Sequence, residues 1–306
     1  MPATRSPRTS PRTSPHASPN STAGHVKREE SEELPDSTGW SASLYNKTAS
    51  FVYSSPFVAP VLDLLNAQPG EKILDVGCGS AEVSLDIQRV VSQQSGGVVV
   101  GMDASESMIV KAKGNGLKHA FVCDAHDLIV PDEIYAWIGN GSDARFDAAF
   151  SNATLHWCKR DPLAVLQGVK SVLKPEGRFV AEMGGFMNCI GVRSALYAAV
   201  RSRGYDPALY DPWYFPSMED YVKLLVTGGF EPTHMSLTPR ITPLPAGLFE
   251  WLRLFARNSF LRIFDDAEAA KIMEEVVENC RVDCQDAGGN WAMTYMRLRF
   301  SAVLKK

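Results

Sequence analysis

Three carboxylates and a pair of glycines stand where they could hold a small organic ligand. Asp75 lies near the end of the apolar run KILDV, Asp103 ends GVVVGMD, and Asp124 ends HAFVCD. Gly77-Cys78-Gly79 follows the first run directly, and a helical pattern, AEVSLDIQRVV, follows the glycines. Glycine lets a chain turn sharply and brings backbone N–H groups close to a ligand. A helix start behind the turn adds a partial positive charge. The dinucleotide fingerprint needs a third glycine to seat a pyrophosphate, and here that position holds Glu82. A carboxylate at the mouth of a pyrophosphate site repels its ligand, which argues against NAD or FAD.

A ligand without phosphate removes the objection. S-adenosylmethionine is one: it has an amino acid end, a sulfonium, a ribose and an adenine. Gly77, Cys78 and Gly79 would turn beneath it, and Asp75 would offset positive charge near its amino acid end. Asp103, with Ala104 and Met108 behind it, would accept hydrogen bonds from both ribose hydroxyls. Asp124 and Ala125 would select adenine by side chain and backbone. AEVSLDIQRVV is a good helical run, so Ala81 is expected in the first helical turn, where alanine costs little. Ser151-Asn152-Ala153-Thr154-Leu155-His156-Trp157 follows a fourth apolar run, FDAAFS. Asn152, His156 and Trp157 are the candidates to border the reacting groups, against a plainer reading in which Leu155 and Trp157 are core. His156 could orient a substrate carboxylate or act as a base toward a hydroxyl.

The elements that must position these residues alternate. Strand patterns at KILDV, GVVVGMD, HAFVCD, FDAAFS and GRFVAEMG are separated by helical patterns at AEVSLDIQRVVSQ, SESMIVKAK, DEIYAWIG and DPLAVLQGVKSVL. Short apolar strands in βαβ alternation predict an α/β fold with a doubly wound, mostly parallel sheet. Helical stretches near 188–204, 218–227, 245–258 and 266–281 come next, and TYMRLRFSAVL reads as a last strand. Arg297 and Arg299 alternate there with Leu298 and Phe300, which reads as the polar face of an edge strand. Before the sheet, LYNKTASFVYSSPFVAPVLDLL reads as two helices split near Pro56, with the folded part starting at Trp40. Residues 1–39, with SPRTSPRTSPHASP and KREESEE, lack the large apolar residues that would offset the entropy of ordering. They are expected to be a disordered tail, an element for a protein partner; an organellar targeting role is the lesser alternative to a cytoplasmic protein.

A net charge of -4 gives no global reason to expect nucleic acid as a partner, and no apolar run approaches a membrane span. Six scattered cysteines suit reduced thiols, with no metal expected.

DVGCGSAEVSLDI, GMDASESMIVKAK, FDAAFSNATLHW and VLKPEGRFVAEMGG, in that order, resemble the motifs of Rossmann-like S-adenosylmethionine-dependent methyltransferases over about residues 40–304. SNATLHW, EMGG, PWYFPS and TPRITPL look most similar to the trans-aconitate methyltransferase group. The resemblance implies a seven-stranded sheet in a domain over 40–306. It also implies N-terminal lid helices over 40–68, with Tyr45 a candidate contact, and a substrate cover within about 188–290. Arg193, Tyr214 and Arg240 fall in or beside that cover as candidate substrate ligands, one arginine serving as a carboxylate clamp. The implied activity is methylation of a small molecule, with carboxyl O-methylation of an organic acid first. Hydroxyl O-, N- or C-methylation of a secondary metabolite or lipid is the alternative, and an inactive cofactor-binding module a further one.

Overall fold

A computed structural model describes residues 36, 39, 55–139 and 144–306 of the chain, all of them in one compact unit. Tyr45, the first of the two N-terminal helices and most of the Ser-Pro tail lie outside the described residues. The second helix is present as α1 (Ser55–Leu65), with Pro56 in its first turn, where a missing N–H costs nothing.

The alternation forms as the patterns predict. It runs β1 (Lys72–Val76), α2 (Glu82–Val91), β2 (Val98–Asp103), α3 (Glu106–Gly114), β3 (His119–Val122), α4 (Asp132–Ile138), β4 (Phe146–Asn152), α5 (Pro162–Val172) and β5 (Leu173–Gly184). Then come α6 (Ile190–Ser202), α7 (Met218–Thr227), β6 (Phe230–Pro243), α8 (Gly247–Phe255), α9 (Asp266–Cys284) and β7 (Ala292–Leu304). The seven strands make one sheet in the order β3-β2-β1-β4-β5-β7-β6, with β7 antiparallel to both its neighbours. From β1, strands β2 and β3 lead outward one way, and β4 and β5 lead outward the other way. Above the β1/β4 boundary the chain splays apart, and open α/β sheets bind ligands at such a switch point.

Both faces of the sheet are covered. Leu74, Val76, Phe179 and Phe300 lie in one core layer, and Ile73, Val99, Phe150 and Val180 lie in the other, as strand alternation requires. A third core joins α6, α8 and α9 to the start of β7 through Leu196, Trp251, Ile272 and Tyr295. Within 188–290, α7 packs Tyr221 and Leu225 into the sheet's own core, and β6 crosses the region as a strand.

Two expectations are corrected. β7 is not an edge strand. It lies between β5 and β6, and Arg297 is 3% exposed. The edge belongs to β6, whose Pro232, Pro239 and Pro243 lack the N–H that a central strand must donate. Ala81 is not in the first helical turn. It precedes α2 with φ +75°, in the left-handed region. The turn itself imposes this: the Ala81 N–H donates back to the Cys78 carbonyl while its own carbonyl accepts from Leu85.

Candidate active site

The glycine loop is stapled to its neighbours on three sides. The N–H groups of Gly77 and Cys78 donate to the Met102 carbonyl at 2.8 and 2.9 Å, and the Gly79 N–H donates to Asp103 Oδ2 at 3.0 Å. From β4, Ser151 Oγ donates to the Val76 carbonyl and Thr154 Oγ1 to the Gly77 carbonyl. Gly77 has φ +78°, and a Cβ there would sit 2.1 Å from Thr154 Oγ1. Both backbone conformation and space therefore demand glycine.

A cleft opens over this loop, lined by Asp75, Asp103 and Asp124 at the ends of adjacent strands, with Ala104, Met108 and Ala125 beside them. Asn152 and Trp157 close its far wall. Asp75 is buried, and burial pushes its carboxyl up to about 7; the 2.6 Å hydrogen bond from Ser84 works against the shift, and Asp103 adds to it. Burial also raises Asp103, although the N–H groups of Ser105 and Gly79 pull it down. Asp124 behaves differently. Burial raises it, but the His126 N–H, the His126 ring and Arg160 more than offset that and hold it below its ordinary value. Its carboxylate is thus engaged within the protein. Asp36, in the expected tail, accepts from the hydroxyls of Ser105 and Ser107 at the start of α3, and the nearby Gly39 carbonyl accepts from Asn258. The ordered contacts thus begin before residue 40.

Ala153 and Trp157 also line a second pocket, so the two cavities adjoin. Trp213, Phe215, Trp251 and Phe255 form its walls, and Arg297 lies at its base. His156 borders this pocket. Its Nδ1 faces the Gly184 N–H at 3.3 Å, and its carbonyl accepts from Tyr214. Burial, helped by Arg297, holds its pKa well below the ordinary value, so the ring is neutral. With Nδ1 accepting, Nε2 carries the proton.

Behind Arg297, Glu182 accepts from Arg297 Nε at 2.8 Å, Arg299 Nε at 2.5 Å and Arg240 Nη1 at 3.3 Å. Arg240 also stacks on Phe57 of α1, 4.3 Å from the ring centroid. Arg193 lies elsewhere: Nε and Nη2 both donate to the buried Asp211, and neither cavity includes it. Tyr214 packs on Tyr221 at the edge of the sheet's core and lines neither cavity. The structure thus brings together the cofactor candidates of β1 to β4, His156 and Trp157, and leaves Arg193 and Tyr214 outside. Sequence reasoning missed Thr154, the aromatic walls and Arg297. The signal for Arg297 was the row of prolines that forces β6, rather than β7, to the edge.

The cleft fits S-adenosylmethionine. Among the described residues its lining holds three carboxylates and no lysine or arginine, which suits an ammonium, a sulfonium and a ribose diol and would repel a pyrophosphate.

The profile of the methyltransferase domain family matches residues 67–201. An uncharacterized methyltransferase of Schizosaccharomyces pombe is 35% identical over 271 residues, covering 86% of this chain and 97% of its own length. Among solved structures, a Bacillus halodurans protein named only provisionally as a methyltransferase aligns with a TM-score of 0.54 at 16% identity, over 81% of this chain and 99% of its own. The [4+2]-cyclase SpnF aligns at 0.50 with 17% identity, over 82% of this chain and 80% of its own. At such identities the likeness is one of fold, and the cyclase shows that this fold alone does not fix a reaction.

Proposed function

We propose that this chain, which belongs to the S-adenosylmethionine-dependent methyltransferase family, methylates a carboxylate of a small organic acid. One observation carries the choice of acceptor. His156, which lines the aromatic pocket next to the shared Trp157, is neutral and already accepts at Nδ1 from the Gly184 N–H. It is poorly placed to take a proton. A carboxylate needs no base, because it is ionised at neutral pH.

In this reading Asp103 holds the ribose hydroxyls, Asp75 faces the ammonium end, and the Ala125 backbone meets the adenine. When bound, S-adenosylmethionine supplies a methyl group on a sulfonium sulfur: an acceptor oxygen lone pair forms the new C–O bond, the C–S pair stays on sulfur, and a carboxylate acceptor releases no proton. The protein's own part is alignment and exclusion of water. Trp157 serves both cavities and so sits where donor and acceptor meet. Asn152 offers an amide at the same wall. The His156 Nε2–H can donate to an acceptor oxygen. A trans-aconitate-like acid fits this reading as one acceptor to try.

The test is transfer of labelled methyl from S-adenosylmethionine to a pool of small acids. A methyl ester is cleaved by mild base, so the label should be released; base-stable label would sink the carboxylate reading. The aromatic walls favour a second reading, methylation of a hydroxyl, nitrogen or carbon on an apolar acceptor. A reaction of that kind slows as its base protonates, whereas carboxylate transfer holds its rate down to the acceptor's own pKa.

A further inference from the structure

The acceptor pocket ends on a buried cluster whose charges do not cancel. Among the described residues, Glu182 is the one carboxylate in contact with three guanidiniums, Arg240, Arg297 and Arg299. The side chains of Glu182 and Arg297 are 1% and 4% exposed, and those of Arg240 and Arg299 are 14% and 15% exposed. Charge buried without a partner is costly, and a protein retains it where a ligand supplies the partner.

The hydrogen-bond pattern shows where that partner goes. Arg297 uses only Nε on Glu182, and its two Nη groups donate to no acceptor among the described residues. Arg297 is the cluster member that lines the aromatic pocket. Arg240, behind it, has a buried Nε with no hydrogen-bond partner. The field of the cluster is felt by its neighbours: after burial, Arg297 is the largest cause that depresses both His156 and Arg240, the latter to about 10. A guanidinium with a free pair of N–H groups matches a planar anion in two parallel bonds.

We infer that Arg297, backed by Arg240, forms an anion site at the base of the aromatic pocket, holding a second anionic group of the acceptor apart from the oxygen that is methylated. The inference rests on the carboxylate reading above and narrows it: the acceptor has two anionic ends with an apolar or planar body between them. The second end is a carboxylate or a phosphate.

The charge of the product separates the two claims. Labelled methyl is transferred to a pool of small metabolites, and the product is passed over an anion exchanger at neutral pH before and after mild base. The expected product is base-labile and still retained, because one anionic group remains. Its acceptor KM should rise about 10- to 100-fold in Arg297→Gln, and less in Arg240→Gln, with the KM for S-adenosylmethionine within about twofold of wild type. Arg297→Lys, which keeps the charge and loses the fork, should fall between and guards against misfolding of the glutamine variant. A base-labile product that passes through uncharged overturns the anion site and leaves carboxylate transfer standing. Base-stable label overturns carboxylate transfer. If no product forms, binding decides: the fluorescence of Trp157, Trp213 and Trp251, with S-adenosylhomocysteine present, is titrated with succinate, inorganic phosphate and neutral succinamide. Saturable quenching by one of the anions alone, lost in Arg297→Gln, supports the site and names its class. Equal responses to all three overturn it.

Discussion

The two cavities share Ala153 and Trp157 and are built in opposite ways. The cofactor cleft is acidic and is made of backbone: a glycine loop, three strand ends, and carboxylates that each follow or precede a turn by a residue or two. The second pocket is aromatic and basic, and it is made of side chains from the turn after β4, from the segments between β5 and β7, and from β7 itself. The difference follows from the sheet. Parallel strands deliver their carboxyl ends to one edge, so a site there needs only local sequence. The antiparallel β7 runs back between β5 and β6 and places Arg297 and Arg299 opposite Gly184 and Glu182. A charge cluster of this kind exists only once the register is set. One side of the molecule thus holds a ligand common to a large family, and the other can be rewritten by changing side chains on a fixed frame.

The largest effect should come from breaking the basic side. Glu182→Gln leaves three guanidiniums without a counter-charge, and removing one partner of a buried ionic network costs about 3–5 kcal/mol. Burial raises the Glu182 carboxyl, and Arg297 and Arg299 pull it down to a net position below its ordinary 4.5. An acid with a depressed folded pKa stabilises the fold above its unfolded pKa and loses that contribution as pH falls through the folded value. Wild type should therefore lose stability below about pH 4.5, and the glutamine variant should lose less of it there. Urea denaturation of both proteins from pH 3 to pH 8 checks this; equal stability of the two at pH 7 would show that the cluster is not an energetic unit.

How far each side could be read from sequence follows the same division. The strand-helix alternation, the glycine loop, Asp75, Asp103 and the SNATLHW turn were legible, because each depends on neighbours within a few residues. Arg193 and Arg240 were read from type alone, and the fold sends them to different fates: Asp211 engages the first, and the second joins Glu182. Arg297 carried an alternation that an exposed edge and a buried face produce equally well. Only the prolines of β6 separate those cases, and they lie more than fifty residues away. Ala81 shows the limit of propensity, since the turn overrides a residue type that favours helix.

On the cofactor side, Asp103 is the residue whose loss should cost most. Its carboxylate fixes the Gly79 and Ser105 N–H groups, both at 3.0 Å, and faces the cleft. Asp103→Ala should weaken S-adenosylmethionine about 100-fold by calorimetry, with NAD failing to bind either protein. Loss within about threefold would mean that the ribose is held elsewhere. Asp75→Asn should have a smaller effect of opposite sign on stability. Burial raises the Asp75 carboxyl to about 7, so the folded state holds a proton that the unfolded state has lost. Stability then falls as pH climbs from about 4 to about 7, and the asparagine variant should lack that decline, gaining about 1–3 kcal/mol at pH 8. Denaturation curves at pH 5 and pH 8 test it; a parallel decline in both proteins would assign the pH dependence to another group.

The smallest change is expected at Ala81, where the terms nearly cancel. A left-handed backbone costs an alanine about 1 kcal/mol or more, which Ala81→Gly would recover. Glycine loses more chain entropy on folding, roughly 0.5–1 kcal/mol. It would also remove a methyl that is fully buried in the core beneath α2, worth about 0.8 kcal/mol. The sum predicts a change in stability within about 1 kcal/mol and cofactor affinity within about threefold. Strain and burial at one methyl group would then explain why this loop works without its customary glycine. A gain above about 2 kcal/mol, with tighter binding, would show instead that the strain is uncompensated and that the acidic, backbone-built side of the molecule is less well fitted to its ligand than its hydrogen bonds suggest.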